Sequence, residues 1–177
     1  ITGFLERTGR GASEFRYGSW LVANLHLKSR PREGSFPMSW DNVIHDSRSL
    51  GYVVATHQSG QDQGPTVLTW YYPYSDDEPR RVRERLLRAT WADLADVALE
   101  RAHPEIRQLT TRLDLFIWGH AMISPRLGFF TCNQRRQAVQ PDGPIHFAHT
   151  DLSGIALFEE AFDHGCRAAD EILELRT

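Results

Sequence analysis

The chain has 177 residues, of which 41% are hydrophobic and 24% charged, and its formal net charge is −3. A chain of this size can bury about 70% of its unfolded surface in one core, while the negative balance gives no electrostatic case for nucleic acid as a partner. No run approaches the ~18 apolar residues of a membrane span, no secretory signal is visible, and 2 cysteines are too few for a disulfide framework or a metal knuckle.

Residues 1–19 read as a loop-rich entry broken by Gly9, Gly11 and Gly18. Trp20 to Lys28 alternates, with Leu21, Ala23, Leu25 and Leu27 on one face, which predicts a half-buried strand. A loop over Ser29 to Pro37 follows. Trp40 to Gln58 holds two expected strands, Val43 to His45 and Leu50 to His57, joined by a polar turn at Asp46 to Ser49. After a turn at Ser59 to Pro65, the aromatic run Thr66 to Tyr74 predicts a strand with Leu68, Trp70 and Tyr72 on one face.

Asp76-Asp77-Glu78-Pro79 has the chemistry of a helix start. Of the arginines that follow, Arg80, Arg81, Arg83, Arg85 and Arg88, two form i,i+4 pairs with Glu84, Arg80 before it and Arg88 after it, so a solvated helix face explains the set better than a phosphate-binding patch. Leu86, Leu87, Ala89, Leu94, Val97 and Leu99 supply a buried side over two helices ending near Ala102, where His103-Pro104 stops the pattern. Leu109 to Met122 predicts a further strand centred on Leu113 to Trp118. Pro141-Asp142-Gly143-Pro144 is a turn, and we place a domain boundary there, between residues 1–140 and 141–177.

The last segment carries the most information. Ile145 to His149 predicts a short strand, and Thr150 to Gly154 a polar turn. In the helix that follows, Ile155, Phe158, Phe162, Ala169, Ile172 and Leu173 recur at three- and four-residue spacing, which predicts a face turned to the core. A strand, turn and helix of this kind leaves backbone N–H groups at the helix start, with a positive dipole end that favours an anion or an electron-rich heterocycle. Ser153 or Asp151 could cap that start. Taken alone, the pattern needs no ligand.

The residues themselves resemble the C-terminal signature of the flavin-containing amine oxidoreductases, the group of monoamine and polyamine oxidases. Phe147-Ala148-His149-Thr150-Asp151 is similar to the end of that family's last FAD-domain strand. Phe158-Glu159-Glu160-Ala161, then His164-Gly165 and Ala168-Ala169, is similar to its final helix. His149 stands where the family has glycine, and Asp151 where it has glutamate.

The resemblance implies an α+β chain: a mixed or antiparallel sheet with helices forming a substrate-binding portion, then the last strand and helix of a Rossmann-like FAD domain. It implies FAD as cofactor in a longer parent protein, with Thr150 and Asp151 at the phosphate-contacting turn and Ser153, Gly154 and Ile155 opening the helix that faces the N1–C2=O edge of the isoalloxazine. Reduced flavin is anionic at N1, so a positive helix end there raises its electron affinity. The implied reaction is transfer of a hydride equivalent from an amine or similar C–H donor to flavin.

Since no Gly-x-Gly-x-x-Gly follows a predicted strand, the expected partner is a missing N-terminal Rossmann half. This chain alone is expected to be inactive and to bind FAD weakly or not at all. By the same resemblance Trp70, Tyr72, Trp118 and His120 are candidate substrate contacts, as are Trp40, Asp41 and His57 in a segment similar to that of bacterial members of the group. Strand packing is the preferred account of Trp70 and Tyr72, and turn or strand roles are the preferred account of Asp41 and His57. Other expected partners are a small-molecule substrate and a second copy of the chain as a homodimer. No catalytic base is assigned, and no cysteine matches the covalent flavin attachment of some relatives.

Two rivals come from other classes. One is a non-catalytic binding or assembly module that kept the fold without the cofactor. The other, a metal hydrolase, rests on 8 histidines. His146, His149, Asp151 and His164 lie close in sequence, but His146 and His149 are an odd number apart on an expected strand and would face opposite ways, so no metal site is assigned.

Overall fold

The computed structural model describes residues 2–34, 36–60, 63–74, 81, 84, 87–88 and 97–175. Its strands are β1 (Tyr17–Leu27), β2 (Asp41–Asn42), β3 (Gly51–Val54), β4 (Thr66–Tyr74) and β5 (Thr110–Ile123). Its α-helices are α1 (Thr2–Arg7), α2 (Val97–Ala102), α3 (Ile106–Leu109), α4 (Asn133–Val139) and α5 (Phe158–Glu174). The chain is therefore α+β. It divides into two compact units, Ser19–Ala121 and the pair of segments Ile1–Gly18 and Met122–Thr177.

The Ser19–Ala121 unit is built on a five-stranded antiparallel sheet in the order β2-β3-β4-β1-β5. Alternation sets the register, because only one registry puts all the apolar positions on one face. Ala23 lies opposite Trp70, which lies opposite Tyr52, and Leu25 opposite Leu68, which lies opposite Val54. These six side chains are buried on the same face, joined by Leu99 of α2 and Ile106 of α3. The face carries polar contacts at its edges, among them Ser19 Oγ donating to the Gly119 carbonyl at 3.0 Å, and one beside the rings: the Tyr52 hydroxyl meets His103 Nε2 at 2.6 Å. Burial pushes the tyrosine up to about 12 and the imidazole below its ordinary value. At the other side of the sheet, 14 residues of β5 lie beside 11 of β1, a surplus that bulges must absorb.

Strands β1 and β4 follow their predicted alternation and β5 covers the predicted Leu109 to Met122 strand, but the Trp40 to Gln58 segment departs from the prediction. The expected strand at Val43 to His45 is displaced: β2 is only Asp41–Asn42, and the chain turns at Asp46 with φ 58°. Asn42 folds its side chain back onto Ser39, accepting from its N–H at 3.0 Å and donating to its carbonyl at 2.8 Å, which closes the turn before β2. The strand expected over Leu50 to His57 stops at Val54, the last pair with β4, and Ala55–Ser59 continues as a 3-10 turn that carries His57. The helix start at Asp76 to Pro79, and with it most of the arginine face, lies outside the described residues. Helix α2 ends at Ala102, before His103-Pro104, as predicted.

The second unit has a separate core of Leu5, Ala12, Phe15, Ile123, Phe129, Ala138, Phe147 and Leu152. Leu5 comes from α1, a helix within the segment read as loop; a six-residue helix is too short to announce itself by periodicity. Phe15 meets Phe129 edge to face at 5.3 Å. Arg10 closes the C-terminal end of α4, donating to the carbonyls of Gln137 at 3.0 Å and Pro141 at 2.8 Å and also to Gln140. Cys132 caps its other end, its sulfur accepting the Arg135 N–H.

In the sheet unit, the backbone at Gly51 dictates its residue. Gly51 has φ +94°, and a Cβ there would fall on the Asn42 carbonyl across the β2–β3 pair. Gly51→Ala should therefore lower the unfolding free energy by about 2–3 kcal/mol, read as a lower urea midpoint with an unchanged slope.

Candidate functional site

The segment from Ile145 onward is held by side chains rather than by a ladder. Asp142 and Ile145 form an isolated bridge around the predicted turn, exchanging both backbone hydrogen bonds at 2.9 and 3.0 Å. Residues 146–149 then run without a strand partner, contrary to the strand expected there. Phe147 is buried in the core, and its carbonyl accepts from Arg167 on α5. A guanidinium satisfies the backbone where a sheet neighbour would otherwise be needed.

A 3-10 turn, Thr150–Leu152, follows. The His149 ring caps it, Nδ1 accepting the Asp151 N–H at 3.1 Å. The N–H of Leu152 goes to the His149 carbonyl, that of Ser153 to Thr150, and that of Gly154 to Thr150 and Asp151. All four amides from Asp151 to Gly154 are thus used inside the turn. The Asp151 side chain, 3% exposed, turns inward and accepts the Tyr17 hydroxyl at 2.6 Å. Burial first, and the adjacent carboxylate second, push the Tyr17 phenol well above its ordinary value. Gly154 has φ +73°, and the space a Cβ would take is filled by the Phe129 ring, 2.6 Å away.

Neither Ser153 nor Asp151 caps the long helix. Helix α5 begins at Phe158, later than expected, behind Leu157, whose side chain gives no cap; Glu159 and Glu160 lie in its first turn. Its orientation is the reverse of the prediction. Ile155, Phe158, Phe162, Ala169, Ile172 and Leu173 are all exposed, Phe158 to 78% and Phe162 to 64%, with those two rings stacked at 6.3 Å. The buried side is His164 and Ala168, with Arg167 and Glu171 half-buried beside them. The carbonyls of the loops packed against α5 draw its polar residues inward, and the apolar stripe is left outside.

Ser153 and His164 form the one pairing here with the look of a nucleophile and base, Oγ to Nε2 at 2.8 Å. The tautomer is wrong for that chemistry. Arg167 Nε, which can only donate, is directed at His164 Nδ1 at 3.4 Å. The proton of the neutral ring therefore sits on Nε2 and is donated to Ser153, so the ring cannot take the serine proton. The other histidines of the segment also have separate partners: His146 Nδ1 meets Glu171 at 2.7 Å, and His149 caps the turn. Among the described residues, no group of three or more His, Cys, Asp or Glu side chains is placed to hold a metal ion.

The four candidate substrate contacts do not form one set. Trp70 is 2% exposed and lies in the core, with Tyr72 tilted against it at 5.5 Å and Tyr74 beyond at 4.6 Å. On β5 the residues packed toward that core are Leu113, Leu115 and Ile117, so Trp118 and His120 lie on the opposite face of the sheet. Trp118 is 54% exposed there, with Phe116 as an exposed neighbour on the same side of the strand. Trp40 is exposed beside the short β2, and Asp41 lies in that strand.

No protein-family model matches this chain, and comparison with curated proteins returns no match. Among the described residues no helix is long and apolar enough to cross a membrane.

The residues that do most to hold the turn were not singled out from sequence: Tyr17, Arg135, Arg167 and Glu171. Arg135 donates to the Leu152 carbonyl at 3.0 Å and to Phe130 at 3.1 Å. The i,i+4 spacing of Arg167 and Glu171 is a readable signal, whereas Tyr17 and Asp151 are 134 residues apart and give none. Tyr17→Phe leaves a buried carboxylate oxygen without its donor and should cost about 2 kcal/mol of stability, measured by chemical denaturation. Asp151→Asn in the Tyr17→Phe background should then cost less than Asp151→Asn alone, as a double-mutant cycle would read.

Proposed function

We propose that this chain is the C-terminal region of an FAD-dependent, amine-oxidoreductase-like protein whose parent transfers a hydride equivalent from an amine or similar C–H donor to flavin. The observation that carries the reading, beside the resemblance of the signature residues, is the start of α5. It is a 17-residue helix that opens three residues after the signature turn with no side-chain cap. The first-turn amides of such a helix have no intrahelical acceptor and present a positive dipole end to an electron-rich ring edge.

The residues fit the cofactor in part. The amides of Phe158, Glu159 and Glu160 suit the heterocycle edge, and the half-buried Thr150 hydroxyl suits an adjacent polar group. The phosphate-contacting role implied for Asp151, with a share from Ser153 and Gly154, does not fit: their amides close the turn, and the Asp151 carboxylate faces Tyr17. When bound, flavin supplies the electron acceptor. What this chain contributes is the orientation of its ring edge and the exclusion of water by Ile155 and Leu157 beside it.

Two apolar surfaces support membership of a longer protein. One is the outer stripe of α5, and the other is the Phe116 and Trp118 side of β5. A Rossmann half is the partner this reading assigns to the stripe, with a small-molecule substrate against Trp118 and His120; a second copy of the chain is the competing occupant. Trp70 drops out as a substrate contact because it is core. The committed amides of residues 151–154 favour the alternative, a cofactor-free binding module.

The visible absorbance spectrum of the longer parent, purified from its own reading frame, tests this. Flavin bands that bleach on adding an amine donor are expected, with the 177-residue chain alone colourless. A parent spectrum that stays flat with added FAD would establish the binding-module reading instead.

A further inference from the structure

His164 is 8% exposed and joins α5 to the loops packed on it. Its Nε2–H donates to Ser153 Oγ of the turn, and its bare Nδ1 accepts from Arg167 Nε. Arg167 also donates through Nη2 to the Phe147 carbonyl, through Nη1 to the Val139 carbonyl at 3.4 Å, and to Glu171 at 2.5 Å; Glu171 in turn holds His146. On α4, Arg135 donates to Leu152 of the same turn. The charged groups around the ring are thus Arg135 from α4, and Arg167, Glu160 and Asp163 from its own helix.

A further proton can enter the ring only at Nδ1, the atom at which Arg167 Nε–H is aimed. Two N–H groups would then face each other, and a cationic ring would lie beside two guanidinium groups that cannot lose their charge. We propose that His164 is a pH-sensitive latch: its protonation at Nδ1 drives off the Arg167 guanidinium, which frees the Phe147 and Val139 carbonyls and loosens the segment that leads into the 150–154 turn, while the Nε2–H bond to Ser153 stays.

Burial and the two arginines hold the native imidazole below its ordinary value of 6.5, against the opposite pull of Asp163 and Glu160. The unfolded chain consequently binds the proton first, so the stability due to the latch is complete above pH 6.5 and declines as pH falls toward the native value. This inference does not depend on any cofactor.

The test is nitrogen-15 NMR of the His164 ring together with amide hydrogen exchange at Ser153 and Gly154, corrected for intrinsic rates. At neutral pH the ring should show a protonated Nε2 and a bare Nδ1. On acidification, exchange at the two amides should accelerate on the order of tenfold in step with ring titration. His164→Gln, which keeps a donor and an acceptor but cannot titrate, should abolish the step. His149→Asn, which removes the other imidazole of the turn, should retain it. An Nδ1–H tautomer at neutral pH, ring titration without a change in exchange, or a step that survives in His164→Gln would each overturn the proposal. The wild-type tautomer and the coincidence of the two titrations decide the matter even if a variant fails to fold.

Discussion

One guanidinium organises the unit that contains the C-terminal helix. Arg167 lies midway along α5 and reaches two carbonyls, one at the end of α4 and one in the loop before the turn, a carboxylate and an imidazole. Loops without a ladder need donors, and arginine offers five that never lose their charge. Supplying them requires the polar side of the helix to face inward, with His164 and Glu171 one turn to either side. The outward position of Phe158, Phe162, Ile172 and Leu173 then follows: a helix with one polar and one apolar stripe cannot bury both against the same loops.

The sheet unit obeys the simpler rule. Its core is set by strand alternation, and the cross-strand row Ala23, Trp70 and Tyr52 combines a small residue with two large rings at one level, as close packing requires. The Tyr52–His103 contact places a polar pair inside that core, and among the described residues the imidazole Nδ1 and the Trp70 indole nitrogen meet no hydrogen-bond partner. Trp70 packs between Tyr52 and Tyr72.

Sequence legibility divides along the same line. Strands β1 and β4 could be read because a period of two has one structural meaning when one face is buried. The failures have physical causes. At Val43 to His45 the left-handed turn at Asp46 intervened, and at Ile145 to His149 no strand among the described residues lay alongside to complete a ladder. For α5 the periodicity was right and the direction wrong, because periodicity identifies a stripe but not what lies against it. In the candidate site, the turn and the helix were legible as elements. Their chemistry was not, since the capping role of His149, the inward Asp151 and the tautomer of His164 depend on Tyr17, Arg135 and Arg167, which only the fold brings near.

Gly154 has an implication for how related chains would be compared. Its left-handed backbone and the Phe129 ring in its Cβ space would restrict the position to glycine whatever the protein binds. Evolution would keep that glycine in lineages with a cofactor and in lineages that had lost one, so its retention would not distinguish them. The informative substitutions would fall at Thr150 and at the opening turn of α5, where the structure imposes no such packing demand and drift would reveal a relaxed selective pressure.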